Sequence, residues 1–543
     1  MKPELKTHHD SSVSIPESAR QIGISPATVR NWVKTGYLKI NGTGDILEDS
    51  ILTIQGLGED TKKLTSRANK TKKDAHDHKQ VASEILKHIK KKSTDPELLG
   101  QEYENRLSES FRNIEGIFYT PKEVIQNLFL SLKKDIDSAI ICDPCCGTGN
   151  FLIEALKIGF KTENIYGFDT DSVAVEIAKE RIFRFSGIKS ENIKNIDFLS
   201  YAANHETHNY DYIFTNPPWG KKMPKEQREN LGQVFSSGSA TDTCSLFFFA
   251  CLKNLKENGE LGLVLPEAFF NISTFEDARK KALEHTIERF IDYGKAFKGL
   301  ITKTQGIVLR KTALNSKNQI ICEAHNTKKY RTQKSFLKNP KTIINHTCGQ
   351  DEADTLDYLF QLPCIKLKGN AKWGLGIVTG NNSKHVLATP KEGYIPVYKG
   401  SDISCHQLKP ATSFVQPDFS KFQQVAPKEL FLVKEKLIYK FISSRLIFFF
   451  DDKQRFVLNS ANFLIPDTSF PLKTKVLGEL LSSDFMNWVF AKTFNTHKVL
   501  RGDLESLPLF SQYLENISSF NEDVYLSKIK IEKKKNGAYG IKK

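Results

Sequence analysis

The sequence predicts an α/β chain built on a doubly wound, mostly parallel sheet, with a small helical unit before it and a mixed α+β domain after it. Three observations carry that prediction. Between about Glu102 and Leu314, apolar runs of strand length alternate with helical stretches, the pattern of a parallel sheet covered on both faces. Ahead of this region, two short amphipathic helices flank a glycine turn. Beyond Ser316 the alternation fades into many short β-like runs, among them GLGIVTG, YIPVYKG, LIYKF, RLIFFF and NFLIP.

The first unit lies within residues 1–60. In SIPESARQIG, Ile15, Ala19 and Ile22 share one helical face, Ser14 is placed to cap it, Pro16 falls in the first turn and Glu17 at the capping-box position. Gly23 ends that helix. Ser25-Pro26 opens a second, with Val29 and Trp32 or Val33 turned inward. A helix, a glycine turn and an Arg-bearing second helix make a helix-turn-helix pattern. It resembles the small DNA-binding units of MerR and excisionase-type proteins, which would put Ser25, Thr28, Arg30 and Asn31 against DNA. The alternative is a helical hairpin used for packing or dimerisation.

Residues 61–101 form a Lys-rich linker or solvated helix. From Thr61 to Lys92 there are eleven Lys/Arg against three acids, with few large apolar residues. The catalytic α/β region then spans 102–315. Its expected elements are a strand at Ser138–Cys142, a helix at Phe151–Ile158, a strand at Ile165–Phe168, a helix at Val173–Phe185, a strand at Tyr212–Thr215, a helix at Leu246–Leu255 and a strand at Leu261–Leu265. Residues 316–362 read as a connector, 363–512 as a separate domain, and the Lys-rich 513–543 as a frayed tail.

The chain has 543 residues, enough for several cores, and a formal charge of +15 that favours a polyanionic partner. The composition excludes a collagen-like or wholly disordered chain. Its most apolar run, Cys244–Leu252, falls short of the ~20 residues a bilayer span needs. No secretory signal is visible in MKPELKTHHDSS, so a reducing cytoplasm and free thiols are expected for the nine cysteines. Cys142 and Cys145 have CxxC spacing, but no second ligand pair stands nearby, and no metal is expected.

Chemistry concentrates in three places. The first strand runs into Asp143-Pro144-Cys145-Cys146-Gly147-Thr148-Gly149-Asn150-Phe151, a loop whose glycines let backbone turn sharply and approach a ligand. The third glycine of a GxGxxG fingerprint is missing, which counts against NAD. Asp169 ends the next strand, twenty residues after Gly149, where ribose-binding carboxylates stand in such folds. At the end of a third strand, Asp197-Phe198 offers an acceptor for an adenine amino group beside an aromatic ring. An exposed Asp next to a core Phe reads equally well.

The third place is Asn216-Pro217-Pro218-Trp219. An exocyclic amine conjugated to a ring is a poor nucleophile until its lone pair is freed. The Asn216 side-chain oxygen and the Pro217 carbonyl can accept its two N–H bonds, leaving the lone pair aimed at a methyl sulfonium. Two prolines hold both acceptors in place, and Trp219 gives a planar base a stacking face.

Taken in this order, the motifs resemble the gamma class of N6-adenine DNA methyltransferases, the TaqI type, over roughly Gly116 to Phe510. The resemblance implies a Rossmann-like S-adenosylmethionine-dependent fold. Phe118, Tyr119, Thr120 and Pro121 look like the segment that closes over the cofactor. Asp143, Pro144, Cys145, Gly147 and Gly149 match the cofactor loop, Cys145 standing where a small residue is usual. By the same resemblance Asp169 holds the ribose hydroxyls, Asp197 the cofactor's adenine amino group with Phe198 on its ring, and Asn216, Pro217, Pro218 and Trp219 are the NPPY/F/W catalytic motif. In FIDYGKAF, Phe297 aligns with an aromatic that packs on the flipped target base, although a core role serves as well. The C-terminal domain resembles the target-recognition domains of such enzymes and of type I specificity subunits.

The expected function is therefore site-specific methylation of adenine N6 in double-stranded DNA, with S-adenosylmethionine as cofactor and, where one exists, a separate restriction endonuclease as companion. Three rivals share parts of the pattern: methyltransferases of RNA or of protein glutamine, a bifunctional restriction enzyme, and a helix-turn-helix regulator with an inactive methyltransferase body. The recognition sequence and the oligomeric state are not encoded in these motifs.

Overall fold

The computed structural model describes residues 12–22, 26, 29, 32, 33, 38–41, 44–55, 84, 87, 95–106, 119–132, 136–205, 210–297, 302–315, 317–324, 327–405, 407–494, 496, 498–514 and 517–542. The chain divides into two compact units. The first comprises Met1–Asn127, Lys133–Asn204 and Phe214–Pro224; the second comprises Leu128–Leu132, His205–Ile213 and Lys225–Lys543.

The first unit opens with β1 (Ser12–Val13), α1 (Ile15–Ile22), β2 (Ile46–Leu47) and α2 (Glu48–Gln55). Ser14 Oγ accepts from the Glu17 amide at 3.4 Å, as the capping pattern predicts. β1 and β2 pair antiparallel, Val13 opposite Ile46. Ala19, Val29, Trp32, Leu38, Ile46 and Ile51 form a small buried core, so the inward positions read from helical spacing are inward. Ser25, Thr28, Arg30 and Asn31, the DNA-facing residues of the expected helix-turn-helix, lie outside the described residues.

Then follow α3 (Pro96–Arg106), α4 (Lys122–Leu128), β3 (Ile141–Asp143), α5 (Asn150–Ile158), β4 (Ile165–Asp169), α6 (Ser172–Ser186), β5 (Ile193–Asn195), α7 (Phe198–Asn204) and β6 (Tyr210–Thr215). β3, β4 and β5 are parallel neighbours, with Asp143 opposite Gly167 and Asp169 opposite Asn195. That register lines up the carboxyl ends of consecutive strands, the edge where open α/β sheets bind ligands.

The second unit takes the first residues of β6, then α8 (Thr243–Asn254), β7 (Leu255–Pro266), α9 (Glu276–Leu283), β8 (His285–Gly294), β9 (Thr304–Ala313), β10 (Gln319–Ala324) and β11 (Thr327–Thr332). These strands run in the order β11-β10-β8-β9-β7. Here the expectation of a mostly parallel sheet needs correction: β7–β9, β8–β9 and β10–β11 are antiparallel, and only β10–β8 is parallel. The link from β8 to β9, residues 295–303, is shorter than the dozen or more residues a parallel crossover needs.

Residues 316–362 are more than a connector, because β10 and β11 extend this sheet. β11 (TKKYRT) has four exposed residues in a row, so it carries no apolar run to betray it. The C-terminal stretch is likewise no frayed tail. It forms a helix (Glu522–Lys528) and the β19–β20 hairpin (Ile531–Lys533 and Tyr539–Ile541), burying Tyr525, Leu526, Ile529, Ile531 and Tyr539 in a core. Lys528, Lys530, Lys533, Lys534, Lys535 and Lys542 stay at the surface while a few apolar side chains hold the segment down.

Between these lies a four-stranded antiparallel sheet, β12-β18-β15-β16 (Ala371–Leu375, Ala461–Pro466, Lys436–Lys440, Phe448–Asp451). Beside it a smaller sheet, β14-β13-β17, is formed by Phe414–Val415, Ile395–Tyr398 and Phe456–Val457. β15 shows the two-residue period of a strand buried on both faces. Leu437 and Tyr439 point into a core shared with α10 (Thr474–Ser482) and α11 (Asp484–Phe494), while Ile438 joins Val397, Phe431, Val457 and Phe463 on the other side.

Candidate active site

The first unit gathers the segments singled out from sequence. After β3 the chain turns through 144–149 into α5. Gly147 and Gly149 sit at φ +49° and +90°, backbone that L side chains rarely adopt. A Cβ on Gly149 would lie 3.0 Å from the Ala178 Cβ of α6, and one on Gly147 would lie 3.0 Å from the Tyr119 ring. Close approach therefore needs glycine at both places. Gly149→Ala is expected to weaken cofactor binding about tenfold, since left-handed strain on a non-glycine residue costs about 1–3 kcal/mol. Calorimetric titration checks this, and unchanged affinity would refute the loop's role.

Asp169 closes β4 and grips the loop. Its Oδ2 accepts from the Gly147 amide at 2.8 Å and its Oδ1 from the Asp171 amide at 2.9 Å. Burial raises its pKa, the two amides and the charge of Lys221 pulling back. Each carboxylate oxygen keeps a further lone pair for a hydroxyl donor. Asp143 is buried at the end of β3, its Oδ1 accepting from the Cys145 amide at 3.0 Å. Burial pushes its carboxyl up to about 7, with Thr215 and that amide opposing. Pro144 and Cys145 continue the turn, and the Cys146 amide donates to the Phe168 carbonyl at 2.9 Å.

Tyr119 is packed over Gly147 among the acids Asp171, Glu104 and Asp169. Burial, then these charges, pushes its hydroxyl well above the ordinary tyrosine value. The Asn150 side-chain amide donates to the Thr120 carbonyl at 3.4 Å, tying the Tyr119-Thr120-Pro121 segment to the start of α5. Phe118 lies outside the described residues.

Asp197 is half-buried and caps α7, accepting from the Leu199 amide at 3.2 Å and the Ser200 hydroxyl at 2.7 Å. Phe198 is buried against Phe168, ring centroids 5.2 Å apart, the core position that the sequence left open. β6 delivers Asn216 to the same unit, with Thr215 and Pro217 buried and Asn216, Pro218 and Trp219 half-buried. Phe297 belongs to the second unit and is buried there.

Sequence reading missed the supports of the loop. Arg181, buried on α6, donates to the Thr148 carbonyl at 2.6 Å and to Asn150 Oδ1 at 2.8 Å. Glu104 accepts from the Thr148 hydroxyl at 2.8 Å. Only helical spacing hints at these residues.

The donor set fits S-adenosylmethionine. That molecule offers a ribose diol, two amino groups and a positive sulfonium, and the strand ends offer the carboxylates of Asp143, Asp169 and Asp197 around a tight glycine turn. Nothing in this set resembles a cation cage, and among the described residues no cluster of His, Cys, Asp and Glu is arranged to hold a metal.

The comparisons agree with this chemistry. Residues 94–357 match the N-6 DNA Methylase family and residues 395–509 the TaqI-like C-terminal specificity domain. The chain is 47% identical over 393 residues to the Type II methyltransferase M.VspI of Vibrio sp. (strain 343), covering 72% of this chain and 96% of that protein. Type II methyltransferase M.CvrRI of Paramecium bursaria Chlorella virus XZ-6E is 29% identical, over 31% of this chain and 41% of its own length. Among solved structures, the Type IIL restriction-modification enzyme MmeI in complex with DNA shares 13% identity over 74% of this chain and 70% of that one, with a TM-score of 0.47. This chain belongs to the N-6 DNA methylase family: it is a DNA methyltransferase of the restriction-modification type, uses S-adenosylmethionine, and carries a TaqI-like C-terminal specificity domain.

Proposed function

We propose that the enzyme methylates N6 of an adenine flipped out of duplex DNA, at a sequence chosen by the C-terminal specificity domain. The observation that carries this reading is the placement of Asn216-Pro217-Pro218-Trp219 in the same compact unit as the glycine loop and the three strand-end acids. S-adenosylmethionine, when bound, supplies an electrophilic methyl group. The chain supplies position. Asp169 would hold the ribose hydroxyls, and Asp197 the adenine amino group of the cofactor. The Asn216 side-chain oxygen and the Pro217 carbonyl would accept the N–H bonds of the target amine, draw its nitrogen toward tetrahedral geometry and orient its lone pair. Trp219 would stack on the target base, whose extrusion costs about a few kcal/mol. The work would be done in the cytoplasm, beside a separate endonuclease where one exists.

The excess of lysine and arginine would bind phosphates and make affinity fall with salt. Expression in a host lacking adenine methylation, followed by single-molecule sequencing, tests the reading. N6-methyladenine at one recurring sequence is expected. A folded, cofactor-binding enzyme that leaves the genome unmodified would overturn it.

A further inference from the structure

Helix α3 lies before every motif of the catalytic reading, yet its side chains reach the cofactor loop. Glu104 accepts from the Thr148 hydroxyl at 2.8 Å, in the middle of the glycine turn. One residue earlier, the buried Tyr103 donates its hydroxyl to Asp171. Asp171 is itself the N-cap of α6, accepting from the amides of Val173 and Ala174, and its own amide donates to Asp169. One turn back on α3, Gly100 lies beside the same loop: an added Cβ would stand in ordinary contact, 3.7 Å from the Arg181 guanidinium and 3.8 Å from Thr148. Arg181 holds the Thr148 carbonyl from the other side. Thr148 is thus gripped at its hydroxyl by α3 and at its carbonyl by α6. A cavity of about 390 Å³ is lined by Gly100 and Glu104 of α3, by Tyr119–Lys122 and by Asn150 of α5.

Resting on the methyltransferase reading, we propose that Glu104 and Tyr103 are positioning residues for the cofactor. Through Thr148 and Asp171, respectively, α3 holds the glycine loop and Asp169 in the shape that receives S-adenosylmethionine. Neither side chain has to touch the cofactor. Glu104 fixes the loop between Gly147 and Gly149, whose close backbone approach forms the floor. Tyr103 fixes Asp171, whose amide sets the rotamer of Asp169. A flexible glycine turn has many conformations to lose on binding, and these two bonds remove that loss in advance.

The test uses the full-length enzyme, with calorimetric titration of S-adenosylmethionine and steady-state kinetics on methylation-free DNA. Glu104→Ala is expected to raise Kd and KM for S-adenosylmethionine about tenfold, while kcat at saturating cofactor falls less than about twofold, because a positioning bond acts before the chemical step. Thr148→Val should reproduce the Kd change, and the Glu104→Ala/Thr148→Val double variant should be no weaker than either single change, since both remove one bond. Thr148→Ser and Glu104→Gln keep a donor and an acceptor and should bind like the wild type. If Glu104→Ala does not fold, Tyr103→Phe removes a single hydroxyl and is expected to weaken cofactor binding several-fold. Single variants with wild-type Kd, or a double variant whose losses multiply, overturn the proposal and leave the methyltransferase reading standing. A wild-type enzyme that does not bind S-adenosylmethionine overturns both.

Discussion

Asn216→Ala should abolish measurable methyl transfer, a loss of about a thousandfold or more, while S-adenosylmethionine still binds with nearly wild-type affinity. The separation follows from where the groups stand. The acids proposed to hold the cofactor close β3 and β4 or follow β5, while Asn216 follows the end of β6. Thr215 and Pro217, on either side of it, are buried, so the side chain leaves a fixed piece of backbone. Alanine there removes the proposed acceptor, and the buried backbone on either side cannot shift to replace it. Water supplies a substitute only at the cost of ordering it. Asn216→Asp keeps an acceptor in the same place and should retain more activity than Asn216→Ala. Radiolabel transfer to methylation-free DNA measures the first quantity and calorimetry the second. Full turnover in Asn216→Ala would remove the proposed catalytic role, and loss of cofactor binding would place Asn216 in the wrong half of the site.

What the sequence made legible was local. DPCCGTGNF needs two glycines at positive φ within three residues, and no other residue type serves as well. That Asp169 ends a strand and Asp197 follows one was legible, because apolar runs of strand length precede both. The catalytic proposal for Asn216-Pro217-Pro218-Trp219 can be made from sequence because those residues are consecutive. The supports of the loop were hidden for the opposite reason. Glu104 and Thr148 are 44 residues apart, and Tyr103 and Asp171 are 68 apart. Nothing in the text of either segment points to the other.

Charge misled as well as informed. The Lys-rich end looked like solvated tail because its lysines outnumber its apolar residues. Yet Tyr525, Leu526 and Tyr539 are enough to seat it in a core, and Tyr539 also donates to Glu522 at 2.6 Å. Strand direction was hidden too. A parallel and an antiparallel strand buried on both faces carry the same apolar run, and only the short 295–303 link distinguishes them.

Lys436→Met should destabilise the second unit by about 3–5 kcal/mol, the largest stability loss expected from a single side chain here. Lys436 and Asp451 are both 0% exposed and face each other across the β15–β16 pair. Lys436 also donates to the Phe431 carbonyl at 2.7 Å. Asp451 gathers more partners: the Arg455 guanidinium at 2.7 Å, the Arg455 amide at 2.9 Å and the Lys453 amide at 3.2 Å. Burial alone would raise the Asp451 pKa, but Lys436 and Arg455 hold it below the usual carboxylate range. Burial in turn lowers the Lys436 pKa, and Asp451 only partly restores it. Methionine fills the space of the lysine stem but leaves a buried carboxylate with one cation in place of two.

The charge, rather than the lost contact, is then the source of the damage. Asp451→Asn in the Lys436→Met background should therefore recover part of the stability. An asparagine oxygen still accepts from the Lys453 and Arg455 amides, while Arg455, partly exposed, turns to water. A double variant as unstable as Lys436→Met alone would mean that packing, and not an unpaired charge, governs the site. The Asp451 contribution also has a defined direction with pH. A carboxylate whose folded pKa is depressed adds stability above its unfolded value, and that stability is lost as pH falls through the folded one. Thermal unfolding of the wild type should accordingly weaken on acidification below the ordinary aspartate range, and the double variant should show a shallower fall. Because the residues proposed to bind the cofactor belong to the other compact unit, S-adenosylmethionine affinity at moderate temperature should survive Lys436→Met while DNA methylation falls with the fraction of folded specificity domain, and parallel loss of both would contradict this division of labour.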